Sequence, residues 1–256
     1  MQAMLLLMLL AAPDAAPLDG PALRLAMEAA AASQDASALT GRRFRVVIPF
    51  TDQRKLKYKA FKQSARWSYD RRKKLMTTTI GLGEITGQNF DAFKASRLDS
   101  LPPLQSLYFE VDAQNDPKHF RSQEVSSQRE TTTLGVRARA SSFGLAIPYR
   151  EGGPSALPDG FSPLVASQLK GSSDQAARWA GSMNVVFEGQ ITDLGQKPEV
   201  FCGAYRGVIT AKDVTGYTPM LVQDRQCFIT ARIDRVEVVR RGTVLAHWRK
   251  PPKQAF

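Results

Sequence analysis

The chain has 256 residues, 43% of them apolar and 23% charged, and carries a net charge of +11. That length can bury one good core or two small ones, and the composition is that of a globular protein. It holds no apolar run of about 18 residues, the length an ordinary membrane-spanning helix needs.

Residues 1–16 read as a signal-like segment, with an apolar run from Ala3 to Ala12 followed by small residues and prolines. No Lys or Arg precedes that run, and Ala12, Ala15 and Ala16 offer only approximate cleavage sites. The expected location is periplasmic or secreted, with the cytoplasm as the alternative. Residues 17–40 form a helix and linker: Pro21 suits a first helical turn, and helix formers run from Leu23 to Ala32.

Residues 41–150 form a β-rich first half. Phe44, Val46, Ile48 and Phe50 alternate as one face of a strand. A helix is expected over 52–65, with Leu56, Ala60 and Phe61 on its apolar side and Thr51 or Asp52 as its cap. Trp67 and Tyr69, a turn over 70–73 and a strand over 75–80 read as a hairpin. A short helix follows Asn89, with strands over 107–111, 134–140 and 143–149.

Residues 151–163 are the most loop-like interior stretch. A β-rich second half spans 164–250. It holds a helix capped by Ser173, strands over 183–191 and 200–210, and a hairpin over 226–249; residues 251–256 are a tail. In that hairpin Cys227, Ile229, Ala231 and Ile233 alternate, then the apolar phase changes to Val236 and Val238. A β-bulge near Asp234 and Arg235 would absorb the change. A three-residue turn at Arg240-Arg241-Gly242 would set Val238 opposite Val244, Val236 opposite Ala246 and Asp234 opposite Trp248. A two-residue turn would place Val238 against Leu245 and is not preferred.

Mostly short connections and no βαβ alternation point to an α+β fold. It would be mainly antiparallel, a sandwich or partly closed barrel with three or four short peripheral helices. Cys202 and Cys227 are the only cysteines, and an oxidising compartment would join them.

The charge is localised. Between Arg42 and Lys74 stand thirteen basic residues and two acids, a net +11 that equals the whole chain's, so the remainder sums to zero. The anion-binding candidates are Arg54, Lys55, Lys57, Lys59, Lys62, Arg66, Arg71, Arg72, Lys73 and Lys74. Interleaved Tyr58, Phe61, Trp67 and Tyr69 offer stacking faces.

Catalytic and metal motifs are missing. The histidines, His119 and His247, stand apart, and there is no zinc-protease, paired-cysteine, nucleophile-elbow or phosphate-loop pattern. Gly81, Gly83 and Gly87 miss the dinucleotide spacing, and Pro117 and Gln123 break a calcium-loop match. Glu110 and Asp112 share a strand parity, as a solvated face would have.

The expectation is therefore an exported β-rich protein without catalytic residues, metal or cofactor. Its basic segment would bind an anionic envelope component or an acidic protein. Nucleic-acid binding, an enzyme of unrecognised class and a scaffold without ligand are the alternatives. Oligomeric state is not legible.

Overall fold

A computed structural model describes residues 16–52, 64–85, 103–111, 121–126, 131–148, 157–168, 172–193, 199–209 and 220–250. Helix α1 (Gly20–Ser33) opens them. Its N-cap Asp19 accepts a hydrogen bond from the Ala22 amide, a proline occupies the first turn, and Gln34 closes it in a left-handed conformation. Leu23, Ala26, Met27 and Ala30 recur at helical spacing and are the buried stripe. A 3-10 turn (Ser37–Leu39) leads into β1 (Arg43–Pro49), where Phe44, Val46 and Ile48 alternate inward as expected.

Strands β2 (Thr51–Asp52), β3 (Ala65–Asp70) and β4 (Leu75–Ile80) follow. The helix expected over 52–65 therefore fails at both ends, since Asp52 and Ala65 lie in strands; residues 53–63 are outside the described residues. Main-chain pairing sets Thr51 beside Arg66 and Asp52 beside Trp67. The hairpin over 65–80 forms as expected.

Then come β5 (Gly83–Glu84), β6 (Leu104–Val111), β7 (Arg121–Ser126), β8 (Thr131–Pro148) and β9 (Leu164–Gln168). The two strands expected over 134–149 are one, because nothing between Ala140 and Phe143 breaks the ladder. Helix α2 (Ser173–Ala180) starts at the expected cap residue itself, one residue earlier than anticipated. Ser172 caps it, and the Gln175 side chain reaches back to the Ser172 amide. Strands β10 (Met183–Ile191), β11 (Val200–Ile209), β12 (Met220–Arg240) and β13 (Thr243–Arg249) complete the fold. The helix expected after Asn89 lies outside the described residues, which hold two α-helices rather than three or four.

The sheets are mixed, not antiparallel throughout. A nine-stranded sheet runs β1-β10-β12-β8-β6-β5, with β11 and β13 also on β12 and β7 on β8; a four-stranded sheet runs β2-β3-β4-β9. Strands β8 and β12 pair in parallel from Val136 beside Met220 to Ala146 beside Thr230. Parallel neighbours need a long crossover, which leaves no turn signal in the sequence. The α+β, sheet-rich class holds.

Strand β12 organises the larger sheet. It contains no Gly or Pro. Its first half pairs with β11 and β8, and its second half with β10 and β13. Opposite Glu188 and Gly189 stand Arg235 and Ile233, so Asp234 is the extra residue of a bulge. That bulge returns Val236 and Val238 to the buried side with Cys227, Ile229, Ala231 and Ile233, as the phase change anticipates.

The turn between β12 and β13 differs from expectation. It has two residues, Arg241 and Gly242, at φ 48° and 82°. Both positive values suit a tight hairpin turn whose twist matches the strands. A second bulge then skips Leu245, so Val238 faces Ala246, Val236 faces Trp248 and His247 faces Glu237. The apolar pairing is recovered by the bulge rather than by a longer turn.

One buried cluster joins α1, both sheets and α2, with Leu23, Phe44, Met76, Leu145, Ala176 and Phe187 among its members. A smaller one, Leu104, Ala146, Phe201 and Phe228, lies apart from it. Phe228 and Thr230 are buried as well as their neighbours, so β12 is covered on both faces there, which strict alternation does not anticipate.

Candidate functional site

The basic segment divides by position. Arg42 is buried just before β1, while Arg43 and Arg45 are exposed along it. Arg45 is already engaged: its Nε lies 3.1 Å from Glu188 Oε1 on β10. The other oxygen of Glu188 lies 3.4 Å from Arg235 Nη1 on β12. Arg235 Nε donates to Glu237 Oε1 at 2.8 Å. Hydrogen bonding to Glu237, reinforced by the charge of Glu188, raises the Arg235 pKa against the opposing effect of burial. Alternate charges thus cross three strands as a ladder, and this part of the basic segment is compensated.

On β3, Arg66 is half-buried. Its Nε is buried with no hydrogen-bond partner among the described residues. Its Nη2 fills the space beside Gly81, where a Cβ would approach within 2.7 Å. Arg66 therefore behaves as a packed side chain more than a surface cation. Trp67 belongs to the core and Tyr69 packs partly buried against it. The stacking role expected of these two rings does not hold, because the alternation of β3 turns Trp67 inward.

The exposed remainder is the β3–β4 turn. Arg71, Arg72, Lys73 and Lys74 follow one another and all are exposed. The Asp70 carboxylate accepts from the amides of Arg72 at 2.8 Å and Lys73 at 3.1 Å, and Lys74 adopts φ 50°. Asp70 is thereby committed to shaping the turn. Arg71 Nε donates to Ser173 Oγ at 3.0 Å, which ties the turn to the first residue of α2. The structure thus keeps Arg71–Lys74 together at one tip and separates Arg66 from them. Arg54, Lys55, Lys57, Lys59 and Lys62, with Tyr58 and Phe61, lie outside the described residues.

Cys202 on β11 stands opposite Cys227 on β12, and the two form the expected disulfide. Arg225 Nη2 lies 3.8 Å from Cys202 Sγ. Glu110 is not half of a carboxylate pair in the described residues: its Oε1 accepts from Arg24 Nη1 at 2.7 Å, and Asp112 lies outside them. Among the described residues, no group of three or more His, Cys, Asp or Glu is placed to hold a metal ion. No helix among them is long and apolar enough to cross a membrane. Comparison of the chain with protein-family models, with curated proteins and with solved structures finds no match.

Proposed function

We propose that this is an exported, disulfide-bonded β-rich protein that binds an anionic surface or partner through its basic segment. The observation that carries the reading is the Arg71–Lys74 tip, where four exposed cations sit on a braced turn whose adjacent carboxylate is occupied by backbone amides. Each cation near an anionic surface is worth about 1 kcal/mol, so four together support binding of roughly a thousandfold over a neutral turn. Nucleic acid ranks behind an anionic surface, because Trp67 is buried and Tyr69 is half-buried against the core, where neither presents a free face to a base. The disulfide and the apolar run at residues 3–12 support export.

The test is partition of the full chain onto anionic vesicles. Replacing Arg72, Lys73 and Lys74 by Glu should remove binding, and moderate salt should weaken that of the unaltered protein. Unchanged partition of the folded variant rejects the reading. Cell fractionation with N-terminal sequencing tests export, and an intact Met1 in the cytoplasm rejects it.

A further inference from the structure

Helix α2 holds a turn of the chain at each of its ends. At its start Arg71 Nε donates to Ser173 Oγ at 3.0 Å, which fixes the Arg71–Lys74 turn to the helix. Past its last residue Arg240 Nε donates to Ser182 Oγ at 3.1 Å and to the Trp179 carbonyl at 3.3 Å, and the Arg240 guanidinium lies 5.0 Å from the Trp179 ring centroid. The β12–β13 turn, Arg241 and Gly242, follows at once. The helix between the two turns is about 12 Å long. Along it Ala176 and Ala180 are buried, while Asp174, Gln175 and Arg178 are exposed. Arg72, Lys73, Lys74, Arg178 and Arg241 are all exposed, and among the described residues none of their side chains is in a hydrogen bond or ion pair. The acid of this stripe, Asp174, stands in the first turn of α2, where the helix N-terminus compensates it. Just past the second turn, on β13, Val244 and Leu245 are 45% and 42% exposed.

We infer that the two turns and the exposed stripe of α2 form one contact surface, and that its ligand is an anionic phospholipid surface. The inference rests on the anion-binding reading above and names the ligand of that site. Arg71–Lys74, Arg178 and Arg241 act together over a span that one turn cannot cover. Their spacing is set in advance, because hydrogen bonds at both ends of α2 brace the turns, and less ordering is left to be done on contact. Lipid headgroups present phosphates side by side over such a span, and arginine forks match their oxygens two at a time. The apolar pair separates a lipid from an acidic protein or polymer. Val244 and Leu245 beside Arg241 have the make-up of an interfacial element, with apolar side chains for the acyl boundary and a cation for the headgroups. A soluble polyanion would leave that pair in water.

The experiment is sedimentation of the full chain with vesicles of phosphatidylglycerol and phosphatidylcholine, beside its binding to soluble polyphosphate. Arg178→Gln with Arg241→Asn leaves the Arg71–Lys74 turn intact and should lower vesicle partition about 30-fold, at about fivefold per charge. Lys at both positions should restore most of it. Arg178→Gln alone, at an exposed helix position, should lower partition about fivefold and serves if the double variant does not fold. Val244→Ser with Leu245→Ser should lower partition about tenfold, as for loss of roughly 60 Å² of apolar contact, and leave polyphosphate binding unchanged. If the charge variants partition like the parent while Glu at 72, 73 and 74 abolishes binding, the turn binds alone; the inference is overturned and the anion-binding reading stands. Unchanged partition of the folded serine variant, or Lys failing as badly as the neutral residues, also overturns it. A chain that binds neither vesicles nor polyphosphate defeats the anion-binding reading and the inference with it.

Discussion

Cys202 and Cys227 face each other across adjacent antiparallel strands, 4.1 Å apart at Cα, and their bond joins positions 25 residues apart. The link staples β11 to β12 where the smaller apolar cluster begins, next to Phe201 and Phe228. Restricting a loop of that length in the unfolded chain stabilises the fold by about 3 kcal/mol. Replacing both cysteines by Ala should lower the unfolding free energy in urea by about that amount. Two alkylatable thiols in the native, unreduced protein would remove the prediction.

Gly189 sits across from the Asp234 bulge. A Cβ there would lie 2.0 Å from the Arg232 carbonyl oxygen and 2.9 Å from Phe44 Cζ. The first neighbour is backbone and cannot swing away. Gly189→Ala should cost about 3 kcal/mol or prevent folding, by the overpacking and strand displacement it forces. A variant as stable as the parent by thermal melting would show that the bulge is softer than its geometry.

Glu188 bridges Arg45 and Arg235, and the three side chains are 23%, 52% and 32% exposed. Such exposure limits the ladder's worth. Glu188→Gln should destabilise by about 1 kcal/mol at low salt and by less in molar salt. A loss that does not change with salt would assign the effect to packing instead.

The tight turn holds one residue suited to it and one that is not. Gly242 at φ 82° is at home, whereas Arg241 at φ 48° carries a Cβ in the left-handed region. Arg241→Asn should therefore stabilise by about 0.5–1 kcal/mol, and Gly242→Ala should destabilise by about 1 kcal/mol. Chemical denaturation of the pair gives opposite shifts; shifts of the same sign would reject this account of the turn.

What could be read in advance was local. The β3–β4 hairpin, the alternation of Phe44, Val46 and Ile48 and the bulge at Asp234 each leave a periodicity or a phase change within about ten residues. The two-residue turn at Arg241 is not legible in the sequence because the second bulge, at Leu245, carries no composition signal of its own. The parallel pairing of β8 with β12 was hidden because its partners are far apart in sequence. For the same reason a count of charge along the chain singles out a contiguous segment, of which Arg45 is compensated by Glu188 from a distant strand. The strand holding Trp67 is legible, but which of its faces meets the core is set by distant partners and leaves no local signal.

Strand β12 follows β8, β10 and β11 in the chain, and all three are hydrogen-bonded to it. During synthesis each of them waits for a common neighbour that does not yet exist. Closing the sheet then requires joining segments long separated, a slow event by loop-closure entropy. A nascent polypeptide built this way leaves part of the larger sheet unpaired until the last large strand emerges, which exposes strand edges to aggregation in the interval.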